Sequence, residues 1–225
     1  MEFRFYEIWR EPEYVERLVA GVGWSLLLTI TAATFGFCFA ILLATGRRSA
    51  NRLISSLSAC YIELIRNTPL IVQLFFVVFG LPMLLGYRLP FSASALLALV
   101  LNFSAYYSEI IRAGLDNIDK GQIEAATVLN LTPLQRFVRV VLPQALEKVY
   151  PSLVSQFIFL FLTTGIISEV GIEELTWSGR FIADRIFRDF EVYLLLTLLY
   201  VLIAIGFKGL FYLGGQFFFP WRTAK

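Results

Sequence analysis

Residues 121–145 read Gly121-Gln122-Ile123-Glu124-Ala125-Ala126-Thr127-Val128-Leu129-Asn130-Leu131-Thr132-Pro133-Leu134-Gln135-Arg136-Phe137-Val138-Arg139-Val140-Val141-Leu142-Pro143-Gln144-Ala145. Ile123, Ala126 and Leu129 or Asn130 recur at the spacing of one helical stripe. Asn130 tolerates the left-handed conformation that ends a helix. Thr132-Pro133 places a capping residue before the residue preferred at the first helical position. The stretch predicts a helix, a sharp corner and a second helix. Alone it is a short amphipathic pair, and its flanks decide what it belongs to.

Those flanks are apolar. Of 225 residues, 58% are hydrophobic and 16% charged, with mean hydropathy +0.71. Soluble domains carry roughly 25% charge, so a disordered chain and an ordinary cytosolic enzyme are excluded. A net charge of +2 leaves no basic surplus for a nucleic-acid partner. The chain has no His, which removes the usual residue of serine-triad, imidazole–zinc and haem chemistry. Cys38 and Cys60 have no metal or disulfide spacing and read as small buried hydrophobes.

Crossing about 30 Å of hydrocarbon takes about 20 apolar residues in a helix. Runs of that kind cover 18–45, 57–85, 91–111, 146–168 and 192–212, giving an all-α integral membrane protein with five spans in one domain, 1–225. The acidic leader with Glu2, Glu7, Glu11, Glu13 and Glu16 is unlike a cleavable signal. Eleven Lys and Arg fall on the side of the 113–145 loop and seven on the other. The positive-inside rule then sets the N-terminus outside and the C-terminus in the cytoplasm. Arg88, Arg222 and Lys225 are among those counted.

At the 113–145 loop the sequence resembles the permeases of ATP-binding-cassette importers. Their loop pattern is Glu-Ala-Ala, three residues, Gly, nine residues, Ile, one residue, Leu-Pro. Here Glu124-Ala125-Ala126 leads to Asn130, Val140 and Leu142-Pro143 at the same spacing, with Asn for Gly and Val for Ile. The second run, Tyr61-Ile62-Glu63-Leu64-Ile65-Arg66-Asn67-Thr68-Pro69-Leu70-Ile71-Val72-Gln73, is similar to the polar amino-acid uptake branch. So is the third, with Asn102, Ala105-Tyr106, Glu109-Ile110 and Arg112-Ala113-Gly114. The resemblance implies a MetI-like type I importer permease in the bacterial cytoplasmic (inner) membrane, in contact with membrane lipid. It implies a second permease (a homodimer or a paralogue), an ATPase dimer, and a periplasmic or lipid-anchored amino-acid-binding protein. It assigns Gly121, Gln122, Glu124, Ala125, Ala126, Asn130 and Pro143 to ATPase coupling. No phosphate-binding Gly-x4-Gly-Lys-Ser/Thr loop is present, so no cofactor is expected on this chain, and ATP and Mg belong to the partner.

Pro69 breaks the second span, with Arg66, Asn67, Thr68 and Gln73 around it. Such breaks line substrate pathways in some transporters. They are equally tolerated as kinks whose freed groups bond to neighbouring helices. Glu63 and Arg66, three apart, are placed to neutralise each other. Asn102 with Tyr106 on the third span, and Gln156 on the fourth, read as substrate contacts or interhelical glue. Many relatives carry Lys-Asp/Glu-Thr/Ser-Ser-Leu where this chain has Leu162-Thr163-Thr164-Gly165-Ile166, and Glu169 stands at a usually apolar place. From Glu169 to Glu191 six acids face three Arg, which favours basic or neutral polar amino acids. The alternatives are a scaffold permease with no substrate site, and a permease for an opine or similar solute.

Overall fold

The computed structural model describes residues 3–86 and 89–219. Glu2, Arg88, Arg222 and Lys225 from the charge count lie outside them. Each apolar run becomes a helix, because a backbone in hydrocarbon must satisfy its own hydrogen bonds. A short α1 (Tyr6–Arg10) precedes α2 (Pro12–Arg47), then α3 (Arg52–Arg66), α4 (Leu70–Phe75), α5 (Leu81–Leu85) and α6 (Phe91–Asp116). The loop carries α7 (Lys120–Val128) and α8 (Pro133–Arg136), and the chain ends in α9 (Leu142–Thr163), α10 (Leu175–Ile186) and α11 (Asp189–Phe218). No strand occurs among the described residues.

Four helical stretches are long and apolar enough to span a membrane: 12–47, 91–116, 133–170 and 189–218. A fifth span would be the pair α3 and 70–85, bent by 107° at Pro69. The stretch 133–170, the fourth span in the sequence reading, starts at Pro133, not near Leu146. Its first turns are too polar for a hydropathy window but still helical, because a helix can outlast the hydrocarbon it crosses. The 169–191 segment is likewise structured, by a 3-10 turn at Thr164–Val170 and by α10.

Two helices are widened at a Leu-Pro pair. A π-turn at Phe76–Gly80 precedes Leu81-Pro82, and another at Phe137–Val141 precedes Leu142-Pro143. A proline inside a helix lacks a donor and crowds the carbonyl four residues back. In each case the Leu N–H instead reaches the carbonyl five back, of Phe76 and of Phe137. The helix absorbs its proline as a bulge rather than a break.

The core lies between α2 and α6. Ala32, Ala33, Ala40 and Ala44 share a cluster with Ala95, Ala98, Leu99 and Phe103, and the six alanines are small enough to let the helices approach closely. α6 and α9 are in tight contact at Gly114, where a β-carbon would lie 2.5 Å from the Ala145 carbonyl oxygen. A second cluster, with Ile8, Leu18, Leu175, Ile182, Val192 and Leu196, joins α1, α2, α10 and α11 at the end away from α7. Cys38 and Cys60 depart from the sequence reading, since both are exposed on their helices. In a bilayer an apolar run need not be interior, because lipid tails are as apolar as the core.

Candidate functional site

The break between α3 and α4 is a closed hydrogen-bond system. Pro69 (φ −64°, ψ 139°) turns the chain out of helix and frees the last carbonyls of α3. Gln73, one turn into α4, collects them: its Nε2 donates to the Ile65 carbonyl at 2.7 Å, the Thr68 carbonyl at 3.0 Å and Thr68 Oγ1 at 2.7 Å. Asn102 Nδ2, from α6, donates to Gln73 Oε1 at 2.8 Å and fixes that amide. Asn67 Nδ2 donates to the Glu63 carbonyl at 2.7 Å, and Thr68 Oγ1 to the Leu64 carbonyl at 2.9 Å. Leaving such a buried acceptor unmet costs about 1–3 kcal/mol, so Gln73 is the plug of the bend.

Arg66 does not pair with Glu63. Its guanidinium lies over the Tyr106 ring, 5.6 Å from the centroid, and 3.8 Å from Glu109 Oε2. Glu63 instead lies 3.6 Å from Arg47. α3 packs against α2 and α6, whose charges lie within reach, which spacing along one helix does not reveal. Glu109 takes two donors from Arg112, at 2.8 and 3.1 Å, and Asp116 joins Arg112 to Arg48. These pairs tie the α7-side ends of α2, α3 and α6 together. Each is partly exposed and individually worth little.

Gln156 lies across from this cluster on α9. Its Nε2 is buried without a hydrogen-bond partner, beside a concavity of about 500 Å³ lined by Ile110, Ser152, Ser155 and Phe159. A buried donor left open in a membrane helix is costly unless something fills the site. Glu169 stands apart, ending the 3-10 turn and pairing with Arg180 at 3.2 Å. The three arginines of 169–191 are all in ion pairs, which leaves the excess of acids over Arg in that segment unchanged. Arg17 lies 3.7 Å from Glu173, Arg185 3.4 Å from Glu13, and Arg188 3.9 Å from Glu191.

One residue the sequence reading counted only as a loop charge, Glu174, is fully buried. Its Oε1 accepts the Trp177 N–H at 2.8 Å, capping α10, and its Oε2 accepts Ser25 Oγ at 3.2 Å and Tyr200 OH at 3.1 Å. Burial holds its carboxyl above the usual glutamate range, against the opposing pull of these hydrogen bonds. The available signal was an acid directly before a helix, facing Gly21 and Ser25 of the first span. A β-carbon on Gly21 would meet Ser178 Oγ at 2.5 Å.

The loop forms the other end of the site. Asp119 Oδ1 caps α7 by accepting the Gly121 N–H at 2.7 Å. Asn130 takes the left-handed conformation at φ 55°, and Thr132 with Gln135 forms a full capping box on α8. The corner is as read from the sequence. Of the stripe, Ala126 is buried while Ile123, Leu129 and Asn130 are exposed, as are Gly121, Gln122, Glu124 and Ala125. Val128, Leu129 and Leu134 are bare at 82%, 72% and 71% exposure. Arg136 bonds Thr127 Oγ1 and ties α8 to α7, while Gln144 bonds Gln122 at 3.3 Å and Lys148 Nζ bonds the Asn117 carbonyl, which hold the loop to α9. Pro143 lies within α9, not on the exposed loop.

Residues 36–214 match the family described as "Binding-protein-dependent transport system inner membrane component". The nopaline transport system permease protein NocM of Agrobacterium fabrum is 31% identical over 95% of this chain and 92% of its own length. The probable glutamine ABC transporter permease protein GlnP of Bacillus subtilis is 37% identical over 84% of this chain and 87% of its own. The solved structure of an amino acid ABC transporter with histidines superposes with a TM-score of 0.84 at 33% identity, covering 96% of this chain and 99% of that one.

Proposed function

The chain belongs to the family of binding-protein-dependent transport system inner membrane components, and from that premise we propose that it is the permease subunit of an ATP-driven importer for an amino acid or an amino-acid derivative such as an opine. The observation that carries this reading is the bare apolar cap of α7 and α8. Val128, Leu129 and Leu134 stand exposed on a short, well-capped helix pair braced from behind by Arg136, Gln144 and Lys148. A rigid projection with an apolar tip is built to enter a groove on another protein. That protein is a separate ATPase dimer, which binds the ATP and Mg. Glu124 and the small Ala125 on the exposed face set charge and approach distance. The loop end is cytoplasmic, the N-terminus is outside, and a binding protein delivers solute to the α10 end.

Five spans enclose no pathway by themselves, so a second copy or a paralogue closes it over the Gln156 face. There the open amide of Gln156 offers donors to a zwitterion's carboxylate, and Glu169 with Arg180 belongs to the outer side. A second reading, a scaffold subunit without its own substrate site, draws on the self-contained Gln73–Asn102 system, which leaves Asn67, Thr68 and Pro69 committed to structure. Uptake in proteoliposomes with the cognate subunits tests both. Glu124→Lys should abolish binding-protein-stimulated ATP hydrolysis while the chain inserts normally, and retained stimulation would defeat the coupling assignment. Gln156→Leu should lower uptake at least tenfold, about 1.4 kcal/mol of lost interaction. Unchanged uptake would favour the scaffold.

A further inference from the structure

α10 ends on a residue that ordinary helix chemistry does not choose. The Phe187 N–H donates to the Ala183 carbonyl at 2.9 Å, and the residue takes the left-handed conformation, φ 53° and ψ 43°. Gly or Asn usually fills such a position, because a β-carbon there crowds the backbone. Phenylalanine bears that strain and gains little packing for it, since the residue is 86% exposed. Fold stability therefore does not account for the ring. Backbone strain of this kind persists where the surroundings enforce it, and it collects at functional sites.

Here the surroundings do enforce it. Ile182 and Ala183 are buried before the corner, and Glu191 and Val192 after it. The N-terminal stretch braces the same corner. The Arg4 N–H donates to Glu191 Oε1 at 3.2 Å, Phe3 stacks on Phe190 with centroids 5.4 Å apart, and Glu13 lies 3.4 Å from Arg185. The ring is thus held out on a fixed mount. Asp184, Arg185 and Asp189 are exposed within three residues of it, a rim carrying both signs of charge. Such charges keep the corner out of hydrocarbon, where each is costly. An aromatic anchor in a polar rim, set in place before contact, has the anatomy of a protein–protein hot spot. It also stands at the end away from α7, so the ATPase is not its partner.

We infer that Phe187 is the anchor by which the solute-binding protein docks on the α10–α11 corner, a reading that rests on the outward placement of α10 proposed above. The ring enters an apolar notch on that protein, and the charged rim meets complementary charges around it. The test uses the full transporter in proteoliposomes with purified cognate binding protein. Phe187→Asn suits the left-handed corner without the ring. It should melt at or above the wild type, yet need about tenfold more binding protein to half-saturate ATP hydrolysis, at an unchanged maximal rate. Phe187→Tyr, which keeps an aromatic ring, should behave as the wild type. With the photoreactive p-benzoylphenylalanine in place of Phe187, irradiation should join this chain to the binding protein. An adduct only with lipid, or only with a second permease, would overturn the inference. So would unchanged half-saturation in Phe187→Asn, or a lower melting temperature, which would make the ring part of the fold. Sidedness is read separately: Asp184→Cys in whole cells should react with a membrane-impermeant maleimide where the wild type does not. No reaction would reject the outward placement and the docking site with it. Reaction together with unchanged half-saturation would reject the docking site alone.

Discussion

Glu174 shows how far a single side chain can depart from its place in a charge count. In sequence it is one of two adjacent acids in an outer loop; in the fold it has no exposed surface and joins α2, α10 and α11 through Ser25, Trp177 and Tyr200. Its folded pKa is raised, so the unfolded chain releases the proton first as pH climbs. Stability tied to this group is therefore fully present below the ordinary glutamate value and is lost as pH rises through the folded one. Gln can replace it, because both partner hydroxyls accept as well as donate. We predict that the melting temperature of the wild type, measured against Glu174→Gln, improves as pH falls from 7 to about 5. A difference that is flat over that range would contradict the buried carboxyl. Gln73 teaches the same lesson with a different cause. Pro69 announced a break in the sequence, but the amide that plugs it depends on a bend of 107°, and no spacing rule encodes that angle.

Among the elements, the apolar runs and the corner after α7 were legible, because local sequence governs them: hydropathy sets a span, and Asn130 with Thr132-Pro133 sets a turn. The burial of each face was not legible. In a bilayer both lipid-facing and protein-facing sides are apolar, so Cys38 and Cys60 were assigned inward on grounds that hold only in water. The corner itself yields a graded prediction. Asn130 sits at φ 55°, where a β-branched residue is strained by about 1–2 kcal/mol and Gly is at ease. Asn130→Val should therefore lower the thermal midpoint and the rate of stimulated ATP hydrolysis, whereas Asn130→Gly should leave both at or above wild type. Equal behaviour of the two variants would show that the corner does not depend on this conformation.

Across the whole molecule, the two clusters of packed side chains meet different needs. One runs along α2, α6 and α9 from the loop to the 3-10 turn, and the other holds α1, α10 and α11 at the end away from the loop. A tight backbone approach, at Gly114 against Ala145, lies where the loop leaves α6 and returns into α9. Gly114→Val should wedge these helices apart and cost about 1–3 kcal/mol of stability. Stimulated hydrolysis should fall further than a matched loss of stability elsewhere, such as at Ala98, would explain; parallel losses at both positions would remove Gly114 from the coupling path. The π-turn at Phe137–Val141 stands between that contact and α8. A π-turn contains about one residue more than an α-turn, so it offsets the angular phase of the rod on its two sides by about 100°. The loop is thus indexed to the fourth span like a gear set one tooth forward. Removing any one residue of the turn would barely shorten the chain, but it would swing the bare tip of α7 to another bearing about the axis.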